Sequence, residues 1–151
     1  MLYHDAALSF LHFLFAFLLA GALVAEAFVL RLPVNGQVVR LLLRIDLFYG
    51  ISAVGVILAG LSRVFWGAKG AAYYVAEPFF WAKMAAFAAV ALISIAPTRA
   101  FMRWNKSAGG DAAFAVDEAG VKKVRRLVMI ELHMFVLIPL FAVLMARGLG
   151  M

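Results

Sequence analysis

The stretch ALSFLHFLFAFLLAGALVAEAFVL, residues 7–30, is apolar for long enough to cross a lipid bilayer as one helix. Three further runs, at residues 43–65, 79–96 and 127–146, have the same character. A bilayer core of about 30 Å requires about 20 apolar residues in a helix, whereas a barrel strand requires about half as many and alternates in polarity. The sequence therefore predicts an all-α integral membrane protein, a four-helix bundle in which residues 1–151 form a single transmembrane domain.

The composition supports a membrane protein and excludes several chemistries. Hydrophobic residues make up 67% of the chain and charged residues 15%, whereas soluble domains have roughly one half and one quarter. The chain contains no cysteine, which excludes disulfides, thiolate metal sites and a cysteine nucleophile. No catalytic triad, phosphate-binding loop or zinc-protease spacing is present. The sequence therefore identifies no catalytic residue and leaves open whether the protein is an enzyme.

The basic residues are distributed unevenly between the connections. Ten lie in or at the edges of the first and third connections: Arg31, Arg40, Arg44, Arg99, Arg103, Lys106, Lys122, Lys123, Arg125 and Arg126. Four lie on the opposite side: Arg63, Lys69, Lys83 and Arg147. The positive-inside rule predicts that the first and third connections are cytoplasmic and that both termini are outside, in the periplasm. We expect the basic side to contact anionic lipid headgroups, and not nucleic acid, because its basic run is short and attached directly to the membrane.

Prolines and one aspartate predict helix boundaries. Pro78 is expected in the first turn of the third span and Pro97 at its end, because proline can start or stop a helix. Pro139 is expected to break the fourth span mildly. Asp117 has the position of an N-cap for a helix that continues into the fourth span.

The polar residues of the spans fall into two layers, judged from a rise of 1.5 Å per residue. The inner layer, toward the basic connections, contains Glu26, Arg44, Asp46, Tyr49, Glu131 and His133. One interpretation is a set of arginine–carboxylate pairs that hold the helices in register. The other is a proton or cation site formed by Glu26, Asp46 and Glu131, because acids inside a membrane are costly and are often functional. His133 is two residues from Glu131, so the two side chains cannot share a helix face.

The outer layer contains His12, Arg63, Lys83 and Met84. His12 is either a histidine hydrogen-bonded within the bundle or a metal ligand, including an axial haem ligand. Met84 lies at a similar depth and could be a second haem ligand. Lys83 either extends toward the outer interface or, with Arg63, binds haem propionates. His12 and His133 lie at opposite depths and cannot bind one iron.

Two helix faces are expected to point into the bundle because they carry polar and small residues. In the first span this face carries His12 and Glu26. In the second span it is the stripe Asp46, Gly50, Ala53, Gly60 and Arg63. The second connection, residues 65–81, is rich in aromatic residues and predicts either an interfacial aromatic belt or a vestibule for a flat apolar ligand.

Five stretches carry a resemblance to a known family: LRIDLFYG (43–50), GLSRVFWGAKGAAYY (60–74), EPFFWAKM (77–84), SIAPTRAFMRW (94–104) and IPLFAVLMARG (138–148). On these the chain resembles a bacterial family of four-helix inner-membrane proteins, a domain-of-unknown-function family. The resemblance covers nearly the whole chain and implies a multi-pass protein of the bacterial inner (cytoplasmic) membrane. It implies no activity.

A more distant similarity is to HemJ-type protoporphyrinogen oxidases and CopD copper-resistance membrane proteins. His12, Lys83 and the Arg126…Glu131 segment occupy positions comparable to those of HemJ-type enzymes. This similarity implies haem b binding. The chain departs from the HemJ-type pattern at Trp81, where those enzymes have a histidine, and at Ile130, where they have an asparagine.

Three functions follow as hypotheses. The leading one is a haem-binding or porphyrin-linked redox protein that uses the outer layer. The second is a small transporter, or a protein that handles protons or ions through the inner carboxylates, with a homodimer supplying the pathway. The third is an accessory subunit of a larger membrane complex.

Overall fold

The computed structural model describes residues 2–149 and is helical throughout its regular structure. The helices are α1 (Leu2–Val29), α2 (Gly36–Trp66), α3 (Gly70–Ala76), α4 (Pro78–Ala108), α5 (Glu118–Phe135) and α6 (Leu137–Ala146). Four segments are long and apolar enough to cross a membrane: α1, α2, α4, and α5 together with α6. The four-span, all-α prediction is therefore confirmed.

The four spans form a ring in which each contacts the next. α1 packs along α2, α2 contacts α4, α4 contacts α5 and α6, and α5 returns to α1. At one end of the bundle, Asp5 accepts a hydrogen bond from the backbone N–H of Ala68, and the Tyr73 hydroxyl donates one to the carbonyl of Met145. We call this end the termini side and the opposite end the basic side.

Two connections pair with each other at the basic side. The backbone N–H of Gly36 donates to the carbonyl of Phe114, and the N–H of Val116 donates to the carbonyl of Val34. A side chain at Gly36 would collide with the backbone carbonyl of Asp111, so this close approach requires glycine. The buried apolar core lies in the adjacent half of the bundle, around Leu23, Leu42, Phe101 and Val128 among others.

The helix ends agree with the sequence at two positions and differ at one. Pro78 is the first residue of α4, and the Asp117 carboxylate accepts a 2.8 Å hydrogen bond from the N–H of Gly120, so both predictions are confirmed. The prediction that α4 ends at Pro97 is wrong. The helix continues to Ala108, and Pro97 is buried inside it. Proline removes one backbone hydrogen bond, and membrane helices tolerate this loss when neighbouring groups compensate.

The fourth span is interrupted at Val136, between α5 and α6. Pro139 lies in the first turn of α6. It has no N–H to donate to the carbonyl of Phe135, four residues earlier. The mild break expected from Pro139 is therefore present, and it lies one turn before the proline.

Candidate functional site

Two glutamates from different helices are buried in the half of the bundle toward the basic side. Glu26 of α1 is 3% exposed and Glu131 of α5 is 1% exposed. The Oε1 atom of each is buried and has no hydrogen-bond partner among residues 2–149. Buried polar atoms in proteins are nearly always paired, so two unpaired carboxyl oxygens require an explanation.

Asp46 of α2 completes the acidic group, which we call the carboxylate cluster (Glu26, Asp46 and Glu131). Asp46 lies near enough to both glutamates for their charges to interact. Its Oδ1 accepts a 2.7 Å hydrogen bond from the Thr98 hydroxyl of α4. Tyr49, almost one turn further along α2, is buried, and it lines the same pocket as Ser94 of α4. Four helices therefore contribute polar groups to one region.

The remaining predicted members of the inner layer lie elsewhere. Arg44 and His133 are both exposed. The Nδ1 atom of His133 donates a hydrogen bond to the carbonyl oxygen of Met129 on its own helix. His133 is two residues from the buried Glu131, which places it on another face of α5. Within residues 2–149, the hydrogen-bond partner found for Asp46 is a hydroxyl and not an arginine.

A lateral pocket of about 530 Å³ opens beside the carboxylate cluster. It lies between α2 and α4, and its polar lining comes from Asp46, Tyr49, Ser94 and Thr98. The rest of the lining is apolar and includes exposed residues of α2 such as Ile51 and Val54. Small-molecule pockets have volumes of roughly 300–1,000 Å³ and a few polar groups in an apolar wall. This pocket has that character and opens toward the lipid.

The structure brings all four residues of the predicted outer layer together. His12 of α1, Arg63 of α2, and Lys83 and Met84 of α4 line one cavity of about 120 Å³ on the termini side. Tyr74, Phe80 and Met145 contribute to its wall. We call it the termini-side cavity.

His12 is held in this cavity by two neighbours on α2. Its Nδ1 lies 3.2 Å from the carbonyl oxygen of Val56, so Nδ1 carries the proton and donates. A Cβ atom at Gly60 would lie 3.2 Å from His12 Cε1, so glycine provides the space for the ring. This arrangement leaves Nε2 as the ring nitrogen able to bind a ligand, which is the usual way a metal-binding histidine is oriented.

No group of three His, Cys, Asp or Glu side chains in residues 2–149 has the geometry to hold one metal ion. The carboxylate cluster is therefore not arranged as a preformed three-ligand metal site. A haem at His12 would need Met84 or another group as its second ligand. It would also need more room than about 120 Å³.

Sequence reasoning missed Ser94, Thr98 and Ser52. It ended the third helix at Pro97 and so left Thr98 in a loop. Ser52 is buried and donates a 2.8 Å hydrogen bond to the carbonyl of Phe48. Four of the five residues in the stripe predicted for α2, Asp46, Ala53, Gly60 and Arg63, are half-buried, and Gly50 is exposed. The buried residues of α2 are Gly36, Val39, Leu42, Tyr49, Ser52, Gly55 and Ala59.

Comparison with known proteins identifies the family. No curated protein and no solved structure matches the chain. A family model described as "Predicted membrane protein (DUF2214)" matches residues 4–150. That match spans all four membrane-crossing segments and both polar sites. The four candidate membrane spans agree with a membrane protein, and the chain belongs to the DUF2214 family of predicted membrane proteins.

Proposed function

We propose that this protein handles protons, or a small cation in exchange for protons, through the carboxylate cluster. The observation that carries the proposal is that one carboxyl oxygen each of Glu26 and Glu131, buried on different helices beside Asp46, has no partner among residues 2–149. Ionisable groups inside a membrane span are rare and usually belong to a transport pathway or a proton relay.

A purely structural role for these acids is less well supported. A carboxylate that holds helices together needs a cation or hydrogen-bond donors around it, because burying an unpaired charge costs several kcal/mol. Arg44, the arginine nearest in sequence to Asp46, is exposed. The Oε1 atoms of both glutamates lack a partner among residues 2–149. A carboxyl group in that position can exchange a proton without losing an ion pair.

A divalent metal ion is also a less suitable occupant. In proteins, Ca²⁺ takes roughly 6–8 oxygen ligands and Mg²⁺ prefers a nearly octahedral set of ligands. The three acids do not converge with that geometry. A proton needs only one carboxyl group at a time, so it fits acids that interact electrostatically without sharing a ligand.

Asp46 is the acid of the cluster that can be reached from outside the bundle. It lines the lateral pocket, about 15 Å along α2 from its first residue, and an organic cation would reach it through that pocket. Glu26 is buried and lies within one turn of the end of α1 at the basic side. The proposed pathway runs from the pocket through Asp46 to the glutamates and on to the basic side.

The test is proton flux in sealed liposomes containing a trapped pH-sensitive dye. We expect wild-type protein to speed the decay of an imposed pH gradient, and Glu26→Gln, Glu131→Gln and Asp46→Asn each to reduce that rate by about tenfold or more. Glu118→Gln is the matched control, because Glu118 is an exposed acid at the start of α5. Full flux in all three cluster variants would contradict the proposal.

A second candidate is a haem-linked redox function. It is supported by His12 and Met84 lining one cavity and by the hydrogen bond that leaves His12 Nε2 available. Arg63 and Lys83 line the same cavity and would bind the propionates. A bound haem would supply electron transfer. The cavity would first have to widen well beyond about 120 Å³.

Absorption spectra of protein purified from a haem-supplied host test this candidate. A Soret band with sharp bands after dithionite reduction, lost in His12→Ala and altered in Met84→Ala, is the expected result. His4→Ala is the matched control, because His4 is exposed near the start of α1. A spectrum without haem bands would reject the candidate and leave the carboxylate proposal unaffected.

A further inference from the structure

The termini-side cavity holds basic side chains that have no acidic partner among residues 2–149. Arg63 and Lys83 line it together with His12, and its lining in this part of the chain includes no aspartate or glutamate. The Nε atom of Arg63 is buried and has no hydrogen-bond partner among residues 2–149. The Nζ atom of Lys83 lies 5.4 Å from the centre of the Phe80 ring. Both cations therefore face a space that contains no described anion.

Two like charges facing one cavity in a membrane protein are unfavourable without a counter-charge. The Phe80 ring gives Lys83 a cation–π contact, and the rest of the wall, including Met84 and Ile138, is largely apolar, so the described wall supplies no full negative charge. Arginine presents a planar set of donors that matches carboxylate and phosphate oxygens, and lysine adds a compact charge. An anion with carboxylate or phosphate oxygens would therefore match the donors of this cavity.

Glu77 does not provide this anion in the structure. It is fully buried just before α4, but it is not among the residues that line the cavity. Both of its carboxyl oxygens lack a hydrogen-bond partner among residues 2–149. Because it is the nearest acid in sequence to Lys83, the experiment must test it as the alternative counter-charge.

The size and position of the cavity limit the anion to a head group. About 120 Å³ is smaller than the roughly 300–1,000 Å³ of pockets that enclose whole ligands. Three lining residues are also exposed on the outside of the bundle: Ile57 by 43%, Leu61 by 48% and Met84 by 39%. These residues of α2 and α4 lie in membrane-crossing segments, so their exposed surfaces face lipid.

We propose that the termini-side cavity binds the carboxylate or phosphate head of an amphipathic anion from the bilayer, whose apolar tail leaves between α2 and α4. Arg63 and Lys83 bind the head, and the tail lies along Ile57, Leu61 and Met84. This proposal does not rest on the carboxylate cluster or on haem, and its test contains neither a proton gradient nor haem.

The test uses full-length protein in phosphatidylcholine nanodiscs, titrated by calorimetry with empty nanodiscs as the blank. The probes are dodecanoate, dodecyl phosphate, uncharged dodecanol and inorganic phosphate. We expect saturable binding of one dodecanoate or dodecyl phosphate per chain, and much weaker binding of dodecanol and of inorganic phosphate. Lys83→Met and Arg63→Met should each weaken binding by about tenfold or more, which corresponds to about 1.4 kcal/mol.

Matched variants keep the result interpretable. Lys69→Met removes an exposed cation on the same side that does not line the cavity, and it should leave binding unchanged. Lys83→Arg retains the charge and should retain binding. If Lys83→Met does not fold, Met84→Glu places an acid among the same cations and should abolish binding. Glu77→Gln should leave binding unchanged, whereas clearly tighter binding would show that Glu77 is the counter-charge of these cations.

Three results would overturn the proposal. Equal binding of dodecanol and dodecanoate would show that the anionic head is not recognised. Equal weakening by Lys69→Met and Lys83→Met would show a general surface effect. Inorganic phosphate binding as tightly as dodecyl phosphate, with the same dependence on Arg63, would show that the anion comes from solution and not from the bilayer.

Discussion

Thr98 donates a 2.7 Å hydrogen bond to Asp46, and this contact joins α4 to α2 at the floor of the lateral pocket. Its position is notable because Thr98 follows Pro97 inside a continuous helix. The contact links the packing of two spans to the one acid of the carboxylate cluster that lines the pocket.

The first prediction concerns this hydrogen bond. We expect Thr98→Val to lower the free energy of unfolding by about 1.5–3 kcal/mol if Asp46 is ionised, since hydrogen bonds to charged groups contribute about that much. Proton flux in liposomes should also change. Thr98→Ser keeps the hydroxyl and should behave like wild type in both thermal unfolding and flux. If Thr98→Val and Thr98→Ser had the same unfolding temperature and the same proton flux, the hydrogen bond would contribute neither to stability nor to transport.

The second prediction separates a functional from a structural role for the buried glutamates. Because their Oε1 atoms have no partner among residues 2–149, we expect the double variant Glu26→Gln/Glu131→Gln to unfold at a temperature equal to or above that of wild type. An amide has nearly the same shape as a carboxylate and no charge to bury. Breaking a buried ion pair would instead cost about 3–5 kcal/mol. Thermal unfolding in detergent makes the comparison, and a clear loss of stability would favour the structural role.

The third prediction tests the close packing of α1 on α2. A Cβ atom at Gly55 would lie 2.5 Å from the Phe15 ring, so Gly55→Ala should destabilise the protein by about 1–3 kcal/mol, as overpacking does. Phe15→Ala should recover part of that loss in the double variant. Gly21→Ala is the control: a Cβ atom there meets nothing within 4 Å, and alanine should stabilise α1 by roughly 0.5–1 kcal/mol. Thermal unfolding compares the stability of wild type, Gly55→Ala, the double variant Gly55→Ala/Phe15→Ala and Gly21→Ala.

The fourth prediction concerns the start of α5. Asp117→Ala should lower stability by about 0.5–2 kcal/mol, because it removes the acceptor for the N–H of Gly120. Limited proteolysis of the connection at residues 109–117 should become faster. Asp117→Asn keeps an acceptor and should change both quantities little. An unchanged cleavage rate in the alanine variant would show that the cap does not control this connection.

Several features could be predicted because they depend on local sequence. The number of spans follows from four apolar runs, and the ends at Pro78 and Asp117 follow from residues whose chemistry acts on the nearest turn. The failure at Pro97 has the opposite cause. Whether a proline ends a membrane helix depends on groups from other helices that compensate for the lost bond, and these are not adjacent in the chain.

The sequence predicted how deep each polar residue lies in the membrane, but not the direction in which its side chain points around the helix axis. Depth follows from counting residues, so His12, Arg63, Lys83 and Met84 were grouped correctly and do line one cavity. Direction around the axis depends on which helices are neighbours. The stripe predicted for α2 therefore included the exposed Gly50 and omitted the fully buried Ser52 and Gly55, and Thr98 and Ser94 were missed altogether.

The sequence by itself determined that this is a four-span helical membrane protein, because the bilayer acts on each span separately. It also placed the carboxylate cluster at one depth and Arg63 and Lys83 at another. Only the tertiary structure decided that the Oε1 atoms of Glu26 and Glu131 lack a partner among residues 2–149 and that Asp46 accepts a hydrogen bond from Thr98. It also decided that Arg63 and Lys83 share a cavity in whose described lining no acid is found. These relationships depend on how each helix is rotated against its neighbours. That rotation is set by close contacts such as Gly55 with Phe15, which pair residues far apart in the chain.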